Sequence, residues 1–138
     1  MDIKELFERI GIFPKSHSNA ENSNILETSK SILLPNDYKI FLNFYNPIEK
    51  FIGNYYIVLM DLDSLILDTS NIVDNQLGKF LIFGNNGSSE NFLLRCGNEN
   101  NLIYLVSSYD IDEIENWIII GDSFTNFIER LLEGTDWF

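Results

Sequence analysis

The residues with the best claim to chemistry lie in the segment FLIFGNNGSSENFLLRCG, residues 80–97, which places Gly84 and Gly87 among small polar residues and ends beside the only cysteine, Cys96. A phosphate-cradling loop would need the pattern GxxxxGK[ST], a lysine reaching the phosphates, and a helix whose N-terminus faces the anion. Gly84 and Gly87 stand too close together for that, and no lysine follows Gly87. The next residues, Asn91-Phe92-Leu93-Leu94, continue as strand-forming sequence, and the spacing does not give GxGxxG either. Asn and Gly instead supply the positive φ values that a tight turn between antiparallel strands demands. The segment is read as a turn.

The other candidates are weaker as catalysts. Asp61, Asp63 and Asp68 suggest a calcium loop, but the central Gly and terminal bidentate Glu of an EF-hand are missing. Asp110, Asp112, Glu113 and Glu115 form an acidic cluster that reads as a solvated loop before a strand, with loose divalent-ion binding as its functional alternative. Cys96 would need a neighbouring base to act as a nucleophile, and the single histidine, His17, lies far away in a polar segment. A buried thiol is therefore expected. Nothing singles out a pair of carboxylates for glycosidase chemistry. The reading is of a protein that is not an enzyme, with no catalytic, cofactor-binding or metal-ligating residue assigned.

Charge bounds the partners. The 138 residues carry 21 acidic against 9 basic side chains, a formal net charge of −12. Such a surface repels phosphate backbones and anionic lipids, which argues against direct contact with nucleic acid or membrane. It suits solubility, or a basic protein partner whose encounter it would accelerate. Between Arg95 and Arg130 there is no Lys or Arg, while Glu99, Asp110, Asp112, Glu113, Glu115, Asp122 and Glu129 all fall there. One cysteine allows no internal disulfide, and the N-terminus lacks a signal-peptide apolar stretch, so a cytoplasmic location is expected.

The elements that must position these residues follow from periodicity. Ile3, Leu6, Phe7 and Ile10 share one face of a first helix that Gly11 is placed to stop. The polar stretch of about residues 15–31 reads as a mobile surface loop. A second helix follows Leu34-Pro35, with Tyr38, Phe41, Leu42 and Tyr45 on its face, and ends at Asn46-Pro47. Strands are expected at 55–60, 80–83, 92–96, 102–106 and 117–120, and a short helix near Leu62 capped by Asp61 or Asp63. The last helix, capped by Asp122 or Ser123, carries the stripe Phe124, Phe127, Ile128, Leu131 and Leu132 and stops at Gly134.

Three of these segments together resemble the SUKH superfamily. Leu34-Pro35-Asn36-Asp37-Tyr38-Lys39-Ile40-Phe41-Leu42 is similar to that family's LPxDYKxFL helix. Phe83-Gly84-Asn85-Asn86-Gly87 with Glu90-Asn91-Phe92 resembles its glycine-rich hairpin, and residues 120–128, IGDSFTNFI, its terminal helix. Asn46-Pro47-Ile48-Glu49 and Ser88-Ser89 stand where the family often has further glycines, both in turns. The resemblance implies one α+β domain over 1–138, with a central antiparallel sheet flanked by N-terminal helices and a C-terminal amphipathic helix. It also implies a bacterial immunity protein that neutralises a polymorphic or contact-dependent toxin domain such as a nuclease, without a cofactor, as a monomer or weak dimer. An intracellular regulatory scaffold is the alternative. The expected contact residues are Asp110, Asp112, Glu113 and Glu115 with Asp61, Asp63 and Glu90, and Tyr109 as an aromatic anchor.

Overall fold

Asp2 opens the chain's first helix by accepting a hydrogen bond from the Glu5 amide at 2.9 Å, and Gly11 closes it with φ +78°. This helix, α1 (Ile3–Ile10), buries Leu6, Phe7 and Ile10, the face that the apolar spacing defines. A computed structural model describes residues 1–134, 136 and 137; residues 135 and 138 of the expected domain lie outside the described residues. It contains four further helices, α2 (Asn22–Lys30), α3 (Asn36–Phe44), α4 (Leu62–Leu67) and α5 (Phe124–Glu133). Seven strands accompany them: β1 (Ile48–Ile52), β2 (Tyr55–Leu59), β3 (Ile72–Asn75), β4 (Gly78–Asn85), β5 (Glu90–Cys96), β6 (Ile103–Ser107) and β7 (Ile118–Gly121). They form a single α+β domain with one curled antiparallel sheet.

The strand order is β1-β2-β4-β5-β6-β7. β2 pairs with the far end of β4 at Asn85 and Gly84, and β3 with its near half at 78–81. The chain between those two strands makes α4 and returns to the same edge of β4. Every pairing is antiparallel, which the short hairpin connections β1–β2, β3–β4, β4–β5 and β5–β6 require.

Alternation along the strands divides the sheet's side chains between two faces. Leu81, Phe83, Phe92, Leu94, Ile103, Leu105 and Ile120 face the helices and join Phe7, Tyr38, Phe41, Phe124 and Phe127 in the main core. Phe80, Leu93, Val106 and Trp117 form a smaller cluster on the other face, with Val73, Ile82, Tyr104 and Ile111 against it.

Several local expectations need correction. Residues 15–31 do not form one loop, because they contain α2, whose Leu26 is fully buried. The strands β1 and β3 carried no clear sequence signal. Gly87 does adopt a positive φ of +78°, but Asn85 and Asn86 do not. Their side chains instead accept the amides of Gly87 and Ser88 at 2.9 and 3.1 Å, closing Asx turns. Gly84 lies within β4 beside a bulge, where an added Cβ would collide with the Val58 carbonyl.

Candidate binding surface

The acidic run leaves β6 through a series of short turns. The Asp110 amide donates to the Ser107 carbonyl at 2.9 Å, Glu113 to Asp110 at 3.0 Å, and Asn116 to Glu113 at 2.9 Å. The last of these lies in a 3-10 turn, Ile114–Asn116, that leads into β7. Trp117 fixes the loop from below. Its ring packs edge-on against Phe80 at 5.1 Å, and its Nε1 donates to the Asp110 carbonyl at 2.8 Å. Asn116 Nδ2 adds a bond to Asp110 Oδ1 at 3.3 Å. Through Trp117 and Ile111 the loop packs on one end of the second sheet face.

Asp112, Glu113 and Glu115 are exposed and Asp110 is half-buried. The carboxyl of Glu113 is pushed above its ordinary range, first by a hydrogen bond to Glu115 and by that group's charge. Slight desolvation and the charges of Asp110 and Asp112 act in the same direction. The Glu113 carboxyl thus stands among like charges within one short loop.

Tyr109 heads the loop and is 87% exposed. The neighbouring Ser108 ties it to the β4–β5 hairpin, since both its amide and its hydroxyl donate to the Ser89 carbonyl, at 2.7 and 2.9 Å. Glu90 lies opposite Ser107 in the β5–β6 ladder, and its carboxylate accepts from Asn86 Nδ2 at 2.9 Å. Tyr109 and the four loop acids follow β6 within one short segment, and Glu90 stands on the neighbouring strand.

The structure does not bring Asp61 and Asp63 to them. Asp61 is the N-cap of α4, accepting the Ser64 amide at 2.8 Å, and Asp63 is exposed in that helix's first turn. α4 packs on α2 in the helical layer. The Asp61 carboxyl is held below its usual range by the bonds from Ser64 and, less strongly, by Lys15. Its geometry serves the helix.

Sequence reasoning missed the aromatic part of this surface. Phe51 and Tyr56 face each other across the β1–β2 ladder, their rings edge-to-face at 5.0 Å, and Phe51 is 68% exposed. Tyr56 Oη donates to Glu49 at 3.1 Å. The hairpin lies against this pair so closely that a Cβ on Gly87 would run into the Tyr56 ring. The β4–β5 turn thus meets Tyr56 on one side at Gly87 and Ser108 on the other at Ser89. The only signal for the Phe51–Tyr56 pair in the sequence was the alternation in IEKFIGNYYIVL, which becomes readable once β1 is known to pair with β2.

The remaining chemical candidates are placed plainly. Cys96 is buried, and burial pushes its thiol up to about 12, against weaker opposing contributions from a backbone hydrogen bond and Lys79. His17 is exposed, in the segment before α2. Among the described residues, no three His, Cys, Asp or Glu side chains are grouped to hold a metal ion. No helix among them is long and apolar enough to cross a membrane.

Fold and surface together define a class: a small α+β domain whose sheet carries an acidic loop after β6 and two exposed aromatic rings, Phe51 and Tyr109. The chain belongs to the SMI1 / KNR4 family (SUKH-1), whose model matches residues 19–130. This is a family of protein-binding domains that includes toxin-immunity proteins, and it is not a known enzyme family. The match begins just before α2 and ends within α5, so α1 precedes it. No curated protein matches the chain.

Proposed function

We propose that this protein is an immunity protein, which binds a cognate toxin domain in the cytoplasm and neutralises it by covering its active cleft. The observation that carries the reading is the turn-built loop 110–115, where four acidic side chains, three of them exposed, follow the exposed Tyr109. A nuclease must attract phosphate, so its cleft is basic, and an acidic surface of this kind occupies such a cleft in place of the substrate. Glu90 extends the acidic side. Tyr109, Phe51 and Tyr56 supply the aromatic contacts that anchor protein interfaces. In the free state the protein is a monomer or a weak dimer.

The test is protection. The toxic domain encoded beside this gene is expressed with and without the protein, and surviving cells are counted. Rescue, together with a complex whose affinity falls as salt rises, supports the proposal. Failure of both rescue and complex formation overturns it, and capture of an endogenous regulatory protein would then favour a scaffold.

A further inference from the structure

A second concave surface lies in the helical layer, and none of its residues belongs to the acidic loop, the hairpin or the Phe51–Tyr56 pair. It is a groove of about 400 Å³ between α1 and the strap that follows it. Its apolar side is made by Ile12, Phe13, Pro14 and Tyr45. The strap is held in place: the Lys15 amide donates to the Phe44 carbonyl at 2.8 Å, and the Asn46 amide to the Phe13 carbonyl at 2.9 Å. A second bond from Asn46 Nδ2 reaches the Pro14 carbonyl at 3.1 Å. Pro14 and Tyr45 also form an isolated β-bridge. With its backbone fixed in this way, Phe13 remains 63% exposed. It is a large apolar ring kept at the mouth of a preformed groove.

The opposite side is charged. Asp2, Glu5 and Glu8 line it, with Lys4 as the single cation among the lining residues. The Tyr45 hydroxyl reports that these carboxylates share its space, because burial first and then the charges of Asp2 and Glu8 hold it above its usual range. Three carboxylates against one ammonium disfavour phosphate-bearing ligands in the groove. A guanidinium or ammonium group satisfies both walls, since it pairs with carboxylates on one side and stacks on an aromatic face on the other.

We infer that this groove is a docking site for a basic, aliphatic-flanked segment of a partner protein, with an Arg or Lys of that segment set between Glu8 and the Phe13 ring. This surface is separate from the proposed toxin-binding face, so either can fail without the other.

The probe is the peptide acetyl-Leu-Arg-Leu-Lys-Leu-amide, titrated into the isotope-labelled full-length protein while backbone amide shifts are followed by NMR. The expected result is a saturable change centred on Glu8, Ile12, Phe13 and Tyr45. The same peptide with both basic residues replaced by Glu should produce none. The double variant Glu5→Gln/Glu8→Gln should weaken binding about tenfold and flatten its salt dependence. Phe13→Ala should weaken binding while leaving the salt dependence unchanged. All three side chains are exposed, and the spectra themselves report that the variants are folded. Shifts centred on residues 109–115, absence of saturation, or unchanged affinity in the Gln variant would each overturn the inference.

Discussion

Asp37 is a residue whose importance comes from a contact 88 positions away. Its Oδ2 accepts both the amide and the hydroxyl of Thr125, each at 2.8 Å, while Oδ1 accepts the Tyr38 amide at 2.8 Å. Thr125 stands in the first turn of α5, where amides lack intrahelical acceptors, and Ser123 already satisfies Asn126 at 2.9 Å. Asp37 is thus a second cap for α5, delivered from α3, and it joins the two sequence motifs that first suggested the family. Asp37→Ala should lower unfolding free energy in urea by about 2 kcal/mol, with Asp37→Asn losing less because one acceptor oxygen remains. A change under about 0.5 kcal/mol for the alanine variant would remove the cap from this account. Cys96 gives a pH prediction. Burial holds its thiol up at about 12 in the folded protein, against an ordinary 9.0. The folded form therefore keeps a proton that the unfolded chain gives up. Stability is unaffected below pH 9 and falls as pH rises toward 12, by roughly 2 kcal/mol between pH 9 and pH 11. Tyr38, fully buried and shifted upward mainly by desolvation, adds to the loss at higher pH. Cys96→Ala should flatten the stability curve between pH 9 and pH 10, leaving Tyr38 to lower it above pH 10; an unaltered slope below pH 10 would refute the assignment.

At the scale of elements, what could be read from sequence depended on where each element gets its stability. α1, α3 and α5 were legible because each carries its own apolar stripe and stop signal, down to Gly11 and Gly134 in left-handed conformations. α2 was not. Its sequence NSNILETSK buries only Ser23 and Leu26, leaves Ile25 46% exposed, and has no side-chain N-cap bond. It is held by tertiary contacts instead. The Ser23 amide donates to Asn43 Oδ1 at 2.8 Å, Asn43 Nδ2 donates to the Ser23 hydroxyl at 3.1 Å, and Glu27 accepts the Leu34 amide at 2.8 Å. A helix of this kind forms because something packs on it, which local periodicity does not report. β1 and β3 escaped for a similar reason, being 5 and 4 residues long with half-exposed faces. Leu26→Ala should therefore cost about 3 kcal/mol and, in hydrogen exchange, release amides 22–30 ahead of the sheet. Uniform acceleration across the whole chain would mean that α2 and the sheet open as one unit.

For the whole molecule, the negative charge was visible in the sequence, and its placement in part. The basic-free interval contains the loop 110–115, which Tyr109 precedes directly, and Glu90 stands on the strand paired with β6. Asp61 and Asp63 were grouped with that loop only by their charge, and the fold puts them in the other layer. The pairing of Phe51 with Tyr56 was not foreseen because the alternation in β1 becomes readable only once β1 is known to pair with β2. These two components of the surface, charge and exposed rings, act at different stages of binding. Long-range attraction governs encounter, and short-range apolar contact governs how long a complex lasts. On the proposed function, the charge-reversed variant Asp112→Lys/Glu115→Lys should lower the association rate with the toxin domain about tenfold at low salt, and the difference should shrink as salt screens it. The variant Phe51→Ala/Tyr109→Ala should leave association nearly unchanged and raise the dissociation rate by about tenfold or more. Stopped-flow mixing at several salt concentrations separates the two. If the charge variant changes only dissociation, the acids make close contacts in the complex and do not steer its formation. If the aromatic variant changes neither rate, the interface lies on another part of the molecule, and the α1 groove becomes the next surface to map.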